Sequence, residues 1–249
     1  MTLGEPQPGQ PEPGDALGRA FLDGVAGRPG PIVVERDDGF IALDSIGYLG
    51  GLDDREEWAL GRLTGRVVDV GAGAGRAALE LQRRGHEVLA LDTSPGAIEA
   101  CRTRGVRSAC LGDPRRAAQA GLAGGFDSAL LLGNNIGLLG SAQAAGPFLT
   151  DIGAMLTPDG VIVGTASDPY QTDDRVHLDY HERNRQRGRL PGHATLRVRY
   201  QRLASDWFDW LIPSPGELED LARRAGWQIR DLRRGPGAQY AVVLERTAQ

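Results

Sequence analysis

The sequence contains no lysine: all 28 of its Lys+Arg residues are arginine. That excludes any mechanism built on a lysine Schiff base or a catalytic amine. Cysteine is nearly absent as well. Cys101 and Cys110 are the only two and lack metal-ligand spacing, so both are read as reduced thiols, with no metal expected. No apolar run approaches the ~20 residues that span a bilayer. The N-terminus lacks the basic start and apolar core of a secretion signal, and the expected location is cytoplasmic. Nor is positive charge in excess: 28 basic against 33 acidic residues leave −5, with no global attraction to nucleic acid or an anionic membrane. Neither is expected as a partner, and the composition leaves the oligomeric state open. What remains is 249 residues, 41% of them hydrophobic, enough for one large α/β domain with its own core.

Three sections follow from the pattern. Residues 1–14 are Pro, Gly and Gln with almost nothing to bury and read as a disordered tail. Residues 15–65 read as a lead-in or cap. Asp15 can cap a short helix through Phe21 and Leu22, residues 33–44 form a hairpin turning at Asp38-Gly39, and Trp58–Leu63 is helical. Residues 66–249 form the core. Strands at 66–70, 87–91, 106–110, 126–132 and 161–165 alternate with helices near 76–84, 95–104, 115–121 and 147–156, which predicts a parallel sheet covered on both faces. Residues 167–212 have no clean period and read as a lid inserted into that core. Ser214, Pro215 and Glu217 then open a helix over 215–225, closed by Gly226. Strands at 227–232 and 239–245 are joined by a tight turn and must be antiparallel.

The densest chemical signal is Val67-Val-Asp69-Val-Gly71-Ala-Gly73-Ala-Gly75, where a buried strand passes into a helix. Glycine there lets the chain turn sharply and lets a ligand lie against main-chain N–H groups at the helix start. The glycines recur at every second position, whereas the dinucleotide fingerprint wants its third glycine at position 76, which is Arg. An acidic residue, Asp69, stands two positions before the first glycine.

This segment resembles the first motif of the class I S-adenosylmethionine-dependent methyltransferases, and the resemblance continues in order over roughly residues 45–170. Leu89-Ala-Leu-Asp92-Thr93 resembles the second motif, Leu111-Gly-Asp113-Pro the end of the third strand, Gly133-Asn134-Asn135 the fourth motif, and Leu156-Thr-Pro-Asp-Gly160 the turn into the fifth strand. The resemblance implies a Rossmann-like seven-stranded sheet, mostly parallel with an antiparallel C-terminal hairpin strand. It also implies S-adenosylmethionine as cofactor: Asp69, Gly71, Gly73 and Gly75 around its methionine part, Asp92 and Thr93 at the ribose, Asp113 at the adenine, and Asn134 at the fourth strand end. Tyr48, in SIGYLGG, resembles an aromatic that closes over the cofactor in related enzymes; a core tyrosine is the other reading.

The acceptor side is less marked. Gly133-Asn134-Asn135-Ile136 departs from the proline-rich motif of base-amino methyltransferases and makes Asn135 a candidate substrate contact. Arg197 and Arg199 alternate along one strand face and could hold a carboxylate or phosphate, though pairing with surface carboxylates is the plainer reading. Trp207, Phe208 and Trp210 read as packing between lid and core. No catalytic residue stands out; His177, His181, Asp168 and Tyr170 are candidates for a base. The expected function is methyl transfer to a small-molecule or peptide acceptor bearing an anionic group. Two alternatives remain: a cofactor-binding sensor or scaffold without catalysis, and a nucleotide-dependent dehydrogenase.

Overall fold

The computed structural model of the protein describes residues 12–44 and 49–248. In chain order the first elements are β1 (Glu12–Pro13), α1 (Ala16–Val25), β2 (Ile32–Arg36), β3 (Ile41–Asp44) and α2 (Asp54–Leu60). The core then runs through β4 (Val67–Val70), α3 (Arg76–Arg83), β5 (Val88–Asp92), α4 (Pro95–Thr103), β6 (Ala109–Leu111), α5 (Pro114–Ala117), β7 (Phe126–Leu131), α6 (Ala142–Met155) and β8 (Leu156–Ser167). After it come α7 (Arg175–Gln186), β9 (His193–Tyr200), β10 (Leu203–Ala204), β11 (Phe208–Leu211), α8 (Pro215–Arg224), β12 (Trp227–Arg234) and β13 (Gln239–Arg246).

The central sheet has seven strands in the order β12-β13-β8-β7-β4-β5-β6. β4 pairs in parallel with both β5 and β7, so the chain reverses its direction of progress across the sheet at β4. Ligands in such sheets bind at that crevice, outside the carboxyl ends of the strands. β13 enters antiparallel beside β8, with β12 outside it. Both faces are buried. Val68, Ala129 and Leu131 join one apolar layer with Phe148 and Trp227, while Val67, Leu130 and Val163 join the other with Leu81 and Val243. Alternation along each strand makes this division, and it explains why β4 reads as apolar on both faces, broken only by Asp69.

A second sheet, absent from the sequence reading, joins two stretches far apart in the chain. Its order is β1-β10-β9-β2-β3, with β11 also on β9. β2, from the expected hairpin, pairs antiparallel with β9 from the expected lid, so lead-in and insertion build one layer above the carboxyl ends of the core strands. Glu12 and Pro13, expected within a disordered tail, instead pair with Leu203 and Ala204. Residues 167–212 also contain helix α7, capped by Asp174.

Other boundaries move for local reasons. α2 begins at Asp54 because Asp53 and Glu56 form a capping box ahead of Trp58. α6 begins at Ala142 because Ser141 accepts from the Ala144 N–H, and it carries Pro147 inside. The third strand starts only at Ala109: Val106 is spent closing α4, its N–H bonded to the Cys101 carbonyl after Gly105 at φ +94°. No helix among the described residues is long and apolar enough to cross a membrane.

Candidate functional site

The glycine loop is built by positive φ angles at Gly71 (70°), Gly73 (55°) and Gly75 (75°). Close neighbours add to the requirement. A Cβ on Gly71 would lie 2.6 Å from the Asn135 side-chain nitrogen, and one on Gly73 would lie 3.1 Å from the Phe21 ring. The cradle therefore has a roof: α1 packs Phe21 against Ala74, Ala97 and Ala100. Asp15 fixes that helix. Its carboxylate accepts from Gly18 N (2.9 Å) as the N-cap of α1, and from Gly96 N (2.9 Å) and the Ser94 hydroxyl at the start of α4.

Two carboxylates face the crevice from neighbouring strand ends. Asp69 is 2% exposed, and its Oδ2 has no hydrogen-bond partner. Burial, with the charge of Asp92 beside it, pushes its carboxyl up to about 7. Asp92 accepts from Gly73 N and Ser94 N, both at 2.8 Å, one on each oxygen, with Thr93 N also bonded to it. Burial raises this carboxyl too, against those N–H groups. Three main-chain N–H groups thus hold the Asp92 carboxylate, whose roughly four acceptor positions leave room for a ribose hydroxyl. Thr93 is exposed beside it. An unpartnered buried carboxylate oxygen beside a glycine cradle fits a ligand bearing a positive charge and hydroxyl groups.

The other expected contacts divide. Asp113 is used locally: it caps α5 through Arg115 N (2.9 Å) and pairs with the Arg115 guanidinium at 3.6 Å. Asn134 sits at φ 67° at the end of β7, its N–H donating to Thr165 Oγ1 and its Oδ1 3.5 Å from Arg55. Asn135, expected at the acceptor, instead donates both amide hydrogens to Val70 O (3.0 Å) and Gly71 O (2.9 Å) and clamps the glycine loop. Tyr48 lies outside the described residues.

A cavity of about 340 Å³ lies between the second sheet and the end of β8. Val34, Ala42, Ala194 and Leu196 line it from the sheet, and Pro169 and Ile212 from the core side. Its charged and imidazole lining is Asp168, His177, His181 and Arg36, beside the neutral polar Ser167, Gln171, Thr172 and Tyr180. A smaller recess touching Asn134, Ala166 and Trp210 shares Ser167 and Ile212 with it, linking the cavity to the fourth strand end.

Three of the four candidate bases meet in this cavity. His177 and His181 lie one turn apart on α7. Tyr170 does not line it; its hydroxyl donates to Glu217 at 2.7 Å, and burial with that carboxylate pushes it up to about 12. Arg197 and Arg199 do not reach it either. Residues of even number on β9 and β2 face the cavity; the two arginines, on the opposite face, pair with Glu35 at 2.8 and 3.6 Å. Glu35 pairs closely with Arg197 and more loosely with Arg199, and neither arginine faces the cavity. Trp207 stacks under Arg197, while Trp210 packs on the turn at Gly137.

Sequence reading missed Arg36 and Arg55. Arg36, in the hairpin, lies between the Phe40 and Tyr180 rings (4.7 and 4.0 Å) and forks onto Asp38. Arg55, 6% exposed, reaches Asn134 and Ala166 O at the ends of β7 and β8. The Arg36-Asp-Asp38-Gly-Phe40 run carried the first signal, masked by its reading as a mere turn.

Over residues 67–160 the chain matches the family model described as a methyltransferase domain. Those residues form a methyltransferase domain, on a Rossmann-like fold. The chain is similar to a SAM-dependent methyltransferase from Bacteroides fragilis, solved in complex with S-adenosyl-L-homocysteine: 28% identity, 94% of this chain and 95% of that one, TM-score 0.80. The CcbJ methyltransferase of Streptomyces caelestis aligns over 94% of this chain and 98% of its own at 16% identity and TM-score 0.61. A 1,6-didemethyltoxoflavin-N1-methyltransferase of Burkholderia thailandensis, solved with 1,6-didemethyltoxoflavin and S-adenosylhomocysteine, aligns over 78% and 79% at 22% identity and TM-score 0.52. Among curated proteins none matches significantly. For this methyltransferase the dehydrogenase alternative falls: the family match and the β12–β13 ending agree with the glycine spacing against it.

Proposed function

We propose that the chain transfers the methyl group of S-adenosylmethionine to a small-molecule acceptor held in the cavity under the second sheet. The observation that carries this reading is the cavity's position: it joins the fourth strand end through the recess at Asn134 and Ser167, on the same side of the sheet as the glycine loop. S-adenosylmethionine supplies a methyl group already activated on a sulfonium, so the protein has to position an acceptor and exclude water. Gly71, Gly73 and Gly75 present main-chain groups to the methionine part, and Asp69 offers its unpartnered oxygen beside them. Asp92 accepts from the ribose hydroxyls at its remaining acceptor position. Asn134 marks the passage to the acceptor, and Asn135 keeps the loop in place.

The cavity's size favours a small molecule over a peptide segment. At about 340 Å³ it lies at the low end of the roughly 300–1,000 Å³ range of small-molecule pockets. The expectation of an anionic group rested on Arg197 and Arg199 and loses its support with their pairing to Glu35.

Calorimetric titration with S-adenosylhomocysteine tests the donor half. Wild-type protein should bind at micromolar concentration, and Asp92→Ala should weaken binding at least tenfold, with an unchanged circular dichroism spectrum. Equal affinity in that variant would remove Asp92 from the ribose.

A further inference from the structure

The cavity's polar groups differ in what they can still do. Arg36 uses four of its five N–H groups: Nε and NH2 on Asp38 at 2.8 and 2.9 Å, NH2 also on Val176 O at 3.4 Å, and NH1 on His177 Nδ1 at 3.1 Å. A guanidinium only donates, so His177 Nδ1 accepts and its ring proton is on Nε2. His177 is thus a fixed donor, wedged also against the Phe40 ring at 4.9 Å. Asp168 accepts from Tyr170 N and lies 3.7 Å from Arg234. His181 is different. It is 7% exposed, lines the cavity, and neither ring nitrogen has a partner among the described residues; Nδ1 is sealed within the protein, which leaves Nε2 as the open one.

Resting on the methyltransferase reading above, we propose that His181 is the proton acceptor of the reaction and that the acceptor molecule is uncharged, apolar and carries one O–H or N–H. His177 Nε2–H donates to it, and the apolar walls hold its body. The guanidinium in the cavity lining, Arg36, already has Asp38 as its counter-ion, and burying an unpaired charge there is strongly unfavourable. In the transfer, the acceptor's heteroatom forms the new bond to the methyl carbon while the carbon–sulfur bond breaks. The broken bond's electron pair stays on sulfur, giving S-adenosylhomocysteine, and the acceptor's proton passes to His181.

The surroundings keep His181 in the form this requires. Burial is the largest influence, followed by Arg185 and His177 on α7 and Arg36 on β2; all lower its basicity, and Glu217 on α8 opposes them. The Tyr170 ring stands 6.5 Å away, and Asp168 faces the same space. The imidazole therefore stays neutral to below the ordinary histidine range, ready to accept.

The test compares two probes of similar size on protein loaded with S-adenosylhomocysteine: 2-naphthol, neutral with a hydroxyl, and 2-naphthoate, an anion. The expected result is binding of 2-naphthol at least tenfold tighter than 2-naphthoate. Binding of 2-naphthol should stay flat above pH 6.5 and weaken as His181 protonates at lower pH. His181→Leu should weaken it at least fivefold with unchanged S-adenosylhomocysteine affinity, and His181→Gln should recover part of the loss. Tighter binding of 2-naphthoate, or no binding of 2-naphthol to loaded wild-type protein, overturns the proposal without any variant. Equal binding by His181→Leu overturns the role of His181. Failure to load S-adenosylhomocysteine at all would count against the donor site instead.

Discussion

Gly96→Ala tests the docking of α1 over the cofactor cradle, because the two possibilities give opposite signs. Gly96 is the second residue of α4, and alanine in a helix is favoured over glycine by about 0.5–1 kcal/mol. On a free helix the substitution would therefore stabilise. In this structure a Cβ on Gly96 would lie 2.6 Å from the Gly18 carbonyl carbon and 2.8 Å from its Cα and O, all backbone of α1. No rotamer relieves that contact, so α1 must shift, loosening the bonds from Asp15 to Gly96 N and Ser94 and the Phe21 contact at Gly73. Overpacking of this kind costs about 1–3 kcal/mol. Net of the propensity gain, the expected loss is about 1–2 kcal/mol, or roughly 2–8 °C in Tm for a chain of this size. Urea denaturation at fixed pH measures the free energy. Titration of S-adenosylhomocysteine should show a several-fold loss of affinity, since α1 roofs the loop. A Gly96→Ala protein as stable as wild type, or more so, would refute the docked helix.

Two further outcomes follow from the crevice. Asp69→Asn should stabilise the ligand-free protein relative to wild type, by an amount that grows between pH 4 and 7 and then levels off. The sign comes from linkage: the folded carboxyl is raised to about 7, so wild type loses stability as pH rises from the unfolded value to the folded one, and asparagine has no such loss. Thermal unfolding of both proteins across that range checks it; a pH-independent difference would place Asp69 in an ordinary carboxylate environment. Asn135→Ala removes the donors to Val70 O and Gly71 O and should cost about 1–3 kcal/mol. It should also weaken S-adenosylhomocysteine binding several-fold, because the loop loses its clamp. Unchanged stability with weakened turnover would return Asn135 to the acceptor.

The donor half of the molecule was legible because local rules and global fold agree there. Val67, Val68 and Val70 place apolar side chains on both faces because β4 lies in the middle of a parallel sheet, and the glycines after it stand where the backbone takes positive φ. Helix ends written in short-range signals were also readable: Asp15 and Ser214 cap α1 and α8 as expected. Val106 was misplaced because a β-branched residue after glycine reads equally as a strand start and as a helix stop. The second sheet was invisible for a different reason. β2 and β9 are separated by some 160 residues, and pairing over that distance leaves no mark in either segment alone.

That same pairing decides the meaning of the arginines. Period two along β9 correctly puts Arg197 and Arg199 on one face, but it cannot say which face sees the cavity or what lies across the ladder. Glu35 lies directly opposite Arg197 in the register, so a cross-strand ion pair consumes the charge that a sequence reader would assign to a ligand. On the other face, the same register brings Val34, Leu196 and Ala194 together as an apolar ceiling, and α7 hangs His177 and His181 at its side. A charged outer face and an apolar inner one are what a lid needs: solvated outside, dry within. Chemical selectivity at the acceptor therefore rests with the few polar groups of α7 and the end of β8. The arginine-rich composition of the insertion reports its outer surface.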